Sequence, residues 1–115
     1  MNRARHLAIL IQLVTLPTVA QTLPANDYPT EARADYVFGC MAVNGQTRDA
    51  LRRCSCAIDV IAGILPVATY VAAETVLAMR QTAGERATLF RDTAPANSVV
   101  ADLRRAEAEA EIICF

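Results

Sequence analysis

The chain has 115 residues, 54% of them hydrophobic and 20% charged, with a formal net charge of -1. That composition excludes a disordered chain, a basic nucleic-acid binder and a collagen-like repeat. His6 is its one histidine, and neither lysine nor tryptophan occurs.

The N-terminus reads as a secretory signal. Arg3, Arg5 and His6 precede an uncharged run from Leu7 to Ala20 that ends in Thr18-Val19-Ala20, with small residues at positions -3 and -1 of a cut after Ala20. This run falls short of the roughly 20 residues needed to span a bilayer. The expected mature chain begins at Gln21, which is not the cysteine of a lipoprotein. It keeps nine arginines and all 12 acids, a formal charge of -3, and it has no histidine. Imidazole acid-base catalysis, histidine-dependent triads and histidine-ligated zinc, copper or haem are therefore not expected.

Residues 21 to 29 carry Pro24, Asn26, Asp27 and Pro29 with little apolar periodicity, and they read as a flexible lead-in to a domain over 30–115. Thr30 is the expected cap of a first helix with Tyr36, Val37, Cys40 and Met41 on one face. Asn44-Gly45 is its stop. A second helix after Thr47 aligns Leu51, Cys54, Ile58, Ile61, Ala62 and Leu65 before Pro66, so the two helices form a hairpin. A third, after Thr69, turns Tyr70, Ala73, Val76 and Leu77 inward and ends at Gly84. Residues 85 to 91 add a short helical turn carrying Leu89 and Phe90, which Ala94-Pro95 interrupts. The last helix, from Asn97 or Ser98, repeats Val99, Leu103, Ala106, Ala110 and Ile113. The expected fold is all-α, a small bundle of about four helices stapled by two disulfides.

Four cysteines, Cys40, Cys54, Cys56 and Cys114, fall in the exported part, and an even count in a small exported domain reads first as a disulfide framework. The Cys54-Ser55-Cys56 pair also admits a metal site and a redox site. In a helix, residues two apart project about 200 degrees from one another, so both sulfurs do not face one ion. Cys54 lies in the apolar stripe and Cys56 with Arg52 and Asp59 on the other side. The preferred pairing is Cys40 with Cys54 and Cys56 with Cys114; the crossed pairing, Cys40 with Cys56 and Cys54 with Cys114, is the alternative. Met41 and Met79 are soft metal ligands by chemistry and core filling by their helical spacing.

Arg52, Arg53, Asp59, Arg104 and Arg105 are the candidate partner-binding residues, provided that a Cys56–Cys114 bridge joins their helices. Arginines three or four residues from Asp49, Glu107 and Glu109 also read as solvated helix-face pairs. Asp59 is either a partly buried acid or the wet side of its helix.

Asp35-Tyr36-Val37-Phe38-Gly39-Cys40-Met41, Arg53-Cys54-Ser55-Cys56-Ala57-Ile58-Asp59, Ala73-Glu74-Thr75-Val76 and the closing Cys114-Phe115 resemble small exported cysteine-containing helical proteins of proteobacteria. The resemblance spans residues 28 to 115. It implies association with quinoprotein alcohol dehydrogenase systems, and no activity or functional residues. In size, compartment and cysteine-linked helical design the chain also resembles acid-stress chaperones of the HdeA type. Near pH 2 its mature form would carry about +9, from ordinary side-chain pKa values, and would expand by self-repulsion.

The expectation is thus a periplasmic or secreted accessory protein, non-enzymatic, binding another periplasmic protein through a rigid helical surface. It has no cofactor, no metal, no nucleic-acid partner and no membrane attachment after signal cleavage. The alternatives are an acid-stress chaperone and a dithiol oxidoreductase using Cys54 and Cys56.

Overall fold

The computed structural model describes residues 27–82, 84, 87, 88, 91 and 93–115. The expected signal segment, most of the lead-in, and Leu89 and Phe90 lie outside the described residues. Among the described residues the chain forms four longer helices and no strands: α1 (Thr30–Asn44), α2 (Arg48–Ile64), α3 (Val67–Arg80) and α4 (Ala94–Cys114). Two disulfides, Cys40–Cys54 and Cys56–Cys114, staple them.

Local chemistry accounts for the ends of these helices. Gly45, at φ +102°, stops α1 in a backbone region that side chains rarely adopt, and its N–H donates to the Met41 carbonyl. Two residues on, the Thr47 hydroxyl accepts the Ala50 N–H and starts α2 as expected. Three other starts differ from expectation. Thr30 is already helical, and Pro29 precedes it at φ -64° with its carbonyl accepting the Arg33 N–H. Helix α3 begins at Val67 rather than after Thr69, because the Pro66 carbonyl already accepts the Thr69 and Tyr70 amides. Pro95 sits in the first turn of α4, where a missing N–H breaks no helical hydrogen bond, so the helix runs from Ala94 instead of starting after it. At the other end, α3 stops at Arg80, and Gly84 (φ +117°) lies beyond it.

The core lies where α2, α3 and α4 meet. Cys54, Ile58 and Ile61 of α2 and Leu103 of α4 are its largest fully buried side chains, with Ala57, Ala73, Ala106 and Ala110 allowing close approach between helices. A smaller cluster of Val76, Ala96 and Val100 joins α3 to the start of α4. The expected stripes are right in kind, but their edges shift. Leu51 is 38% and Ile113 58% exposed, while Ala50, Ala57 and Val100 are buried.

Tyr28 belongs to this core as well. It is buried, its hydroxyl donates to the Leu65 carbonyl at 2.9 Å, and its ring meets that of Tyr70 at 5.1 Å. Asp27 accepts the Val67 N–H, an amide that α3 leaves free at its first turn. The end of the expected lead-in is therefore tied down. Helix α3 departs from α2 with a bend of 115° and packs on α4. Among the described residues no single helix is long and apolar enough to cross a membrane.

Candidate functional site

Helix α1 is the unusual element. A helix of 15 residues is marginal on its own in water and ordinarily depends on an apolar face pressed into a core. This one has no buried residue. It is held against α2 by the Cys40–Cys54 bond and by a 3.5 Å ion pair from Arg33 to Asp59, and half-buried Tyr36 and Val37 pack against the core. Both of its sides consequently border open space.

On one side is a largely apolar groove between α1 and α2 of about 500 Å³, walled by Ala34, Val37, Phe38, Met41 and Ile58, with Arg33 and Asp59 at its polar edge. Phe38 is 76% exposed there. The Arg33 Nε is buried and has no hydrogen-bond partner.

On the other side α1, α3 and α4 enclose a cleft of about 370 Å³. Each helix supplies one carboxylate, Asp35, Glu74 and Glu111, and the aromatic walls are Tyr36, Tyr70 and Phe115. Burial, then the charge of Glu107, raises the Glu74 pKa; Arg104 opposes the shift and Asp35 adds to it. The phenols respond alike. Burial first, then Glu107, Glu111 and Glu74, raises Tyr36, and burial first, then Glu74, raises Tyr70.

The cysteines take the preferred pairing and not the crossed one. Cys54 is fully buried and bonded to α1, Cys56 is bonded to the end of α4, and no free cysteine remains among the described residues. Neither sulfur of the Cys54-Ser55-Cys56 segment is bonded to the other. Among the described residues no group of three histidine, cysteine, aspartate or glutamate side chains is placed to hold a metal ion. Met41 lines the α1–α2 groove, and Met79 is half-buried on α3.

The five charged residues singled out in the sequence do not form one surface. The Cys56–Cys114 bond sets the end of α4 beside the middle of α2, and Arg105 lies by Ile64 and Leu65 at the far end of α2, so the two helices run antiparallel. At 1.5 Å per residue, Arg105 lies about 13 Å along α4 from Cys114. Arg53 lies at the other end, where it donates to the Phe115 carbonyl at 3.3 Å and sits over that ring. Most of these charges pair within their own helix: Arg52 and Arg53 with Asp49, Arg104 with Glu107, and Arg105 with Asp102. Asp59 is on the wet side of α2, its side chain 62% exposed, and it alone of the five lines the Phe38 groove.

Sequence reasoning missed Phe38 and Arg33 on the groove and Asp35, Glu74, Glu111 and Tyr70 in the cleft. One sequence signal was available for the cleft: Asp35 adjoins Tyr36, and Glu74 follows Tyr70 by one helical turn.

Comparison with family models, with characterised proteins and with solved structures finds no match for the chain.

Proposed function

We propose that the chain is a non-enzymatic accessory protein of the periplasm or secreted space that binds another protein through the groove between α1 and α2. Two disulfides in a small domain are compatible with an oxidising extracytoplasmic compartment. Service to a secreted quinoprotein oxidation system is part of the proposal on the sequence resemblance alone.

The observation that carries the reading is a helix held covalently to the bundle with none of its residues buried and with Phe38 76% exposed. Nothing in the core requires a large aromatic at that position. Aromatic side chains at the centre of a patch are the usual anchors of protein interfaces, and charges at the rim govern mainly association rate. The occupant that suits this groove is a protein segment with apolar side chains for Val37, Phe38, Met41 and Ile58 and a hydrogen-bond acceptor within reach of the Arg33 Nε.

The test starts with a photo-reactive residue at position 38 in the native host, with position 72 on the exposed side of α3 as control. The captured partner is then purified and titrated with the wild-type chain and with Phe38→Ala. Because Phe38 contributes little to the core, the variant should keep its helicity while binding about tenfold more weakly. Equal capture from both positions, or an unchanged dissociation constant for Phe38→Ala, would refute the proposal.

A further inference from the structure

Arg33 and Asp59 at the edge of the α1–α2 groove hold each other, but two charges at the ends of the same face hold nothing. Glu31, in the first turn of α1, and Arg48, the first residue of α2, are both exposed, and neither makes an ion pair among the described residues. The Arg33–Asp59 and Cys40–Cys54 contacts run α1 and α2 antiparallel, so Arg48 lies level with the end of α1 at Gly45. Helical spacing puts both charges on the groove side. Glu31 precedes Ala34 and Phe38 by three and seven residues, and Arg48 precedes Ser55 and Asp59 by seven and eleven; all four of those residues line the groove. The two charges therefore mark opposite ends of one face, about 21 Å apart along α1 at 1.5 Å per residue.

Phe38 stands midway between these ends. It is 76% exposed, and the chain carries no charge from Tyr36 to Thr47. Leu51, 38% exposed, continues the apolar surface between Arg48 and Ser55. A two-fold interface needs a patch that complements itself. With the axis at Phe38, α1 of a second copy lies antiparallel over this face. The charged half of each α1 then meets the uncharged half of the other, Phe38 meets Phe38, small Ala34 meets the larger Met41, and each Glu31 comes beside the other copy's Arg48.

We propose that, in the chain free of other partners, the groove face of α1 and α2 is covered by the same face of a second copy, registered by two Glu31–Arg48 ion pairs. The inference rests on the reading of this groove as a protein-docking surface, and it makes the second copy a competitor of the other protein there. A foreign segment needs only to match the groove, whereas opposite unpaired charges at equal distances from Phe38 are what a two-fold partner requires. A face about 21 Å long and two helices wide lies at the low end of specific interfaces, which suits a reversible dimer.

The experiment measures the mass of the disulfide-bonded chain, purified from its native host, by sedimentation equilibrium over a concentration series. A monomer–dimer equilibrium is the expected result. Glu31→Arg and Arg48→Glu should each weaken dimerisation about tenfold, since two attractions become two repulsions, and Glu31→Arg/Arg48→Glu together should restore it to within about twofold. Phe38→Ala should weaken it more than either charge reversal, while Ile112→Ala, exposed on α4, leaves it unchanged. Circular dichroism and a zero thiol count establish that each variant has folded. The mass of a single chain up to about 1 mM, a dimer indifferent to both reversals, or a double variant that stays weak would each overturn the inference. A monomer that still captures a foreign protein at position 38 overturns the dimer and leaves the accessory reading standing; capture of the chain's own second copy alone supports the dimer and refutes that reading.

Discussion

Deleting the two disulfides one at a time should separate two kinds of stability. In the loop-entropy description, a bond across a sequence separation of 14, as in Cys40–Cys54, contributes about 3 kcal/mol, and one across 58, as in Cys56–Cys114, about 4 kcal/mol. Removing the buried Cys54 sulfur adds about 1 kcal/mol for the space it leaves, so the two losses are of similar size. Against a typical total of about 5–15 kcal/mol, either change is large, on the order of 10–20 °C in Tm. Their distribution differs. Helix α4 keeps five buried residues after Cys56→Ala/Cys114→Ala, and only its last turn should fray. Helix α1 has none, so in Cys40→Ala/Cys54→Ala it should open while α2, α3 and α4 stay packed. Native-state hydrogen exchange reads this directly, with α1 amides losing at least about a hundredfold more protection than α2 amides in the second variant. If α1 and α2 amides in that variant open with the same free energy, the account of α1 as a covalently held surface helix is wrong.

Leu103→Ala, at a fully buried position where α4 meets α2, should cost about 3 kcal/mol by urea denaturation with an unchanged m-value. All three tyrosines have raised pKa values, Tyr28 to about 12, by burial and then by the charge of Asp27. A folded-state value above the unfolded one gives stability that is full below pH 10 and is lost as pH rises through the folded value. Absorbance near 295 nm, which has no tryptophan background here, should therefore show little phenolate at pH 10 in the native chain and about half in the reduced chain in urea. Glu74 follows the same sign: its raised value makes the chain most stable below about pH 4.5 as far as this group is concerned, with a decline as the carboxyl ionises. Glu74→Gln should abolish that decline and raise Tm at pH 7 by about 2 °C, on the scale of a few tenths of a kcal/mol for relieved like-charge contacts.

That Cys54 and Cys56 take different partners was legible because helical periodicity is a local rule; the choice between the two remaining pairings was not fixed by it. Two residues separated by one position point to opposite sides wherever the helix lies, so Cys54 and Cys56 had to seek different helices. The apolar stripe of α2 and the Gly45 stop were legible for the same reason. Tyr28 was not. It follows a proline- and asparagine-containing stretch without periodicity, and its burial depends on a carbonyl 37 residues away. The clefts were invisible on similar grounds, since Asp35, Glu74 and Glu111 each look like ordinary wet-face acids until α1, α3 and α4 are set side by side. The arginine pairs misled in the opposite direction. A Cys56–Cys114 bridge between their helices suggested a shared patch, whereas antiparallel packing of α2 and α4 sends them to opposite ends.

The attachment of α1 connects the fold to the function. A helix that earns its place by filling a core has its large side chains committed inward, and its outer face is left for solvent. Covalent attachment through Cys40 removes that obligation, because the bond holds whether or not Phe38, Val43 or Asp35 touches anything. The small residues Ala34 and Gly39 keep the helix slim where it borders the two spaces, an apolar groove toward α2 and an acidic cleft toward α3 and α4. The two spaces differ in chemistry and share one wall. Phe38→Ala alters only the groove and Glu74→Gln only the cleft, whereas loss of the Cys40–Cys54 bond frees the wall itself and should impair binding at the groove.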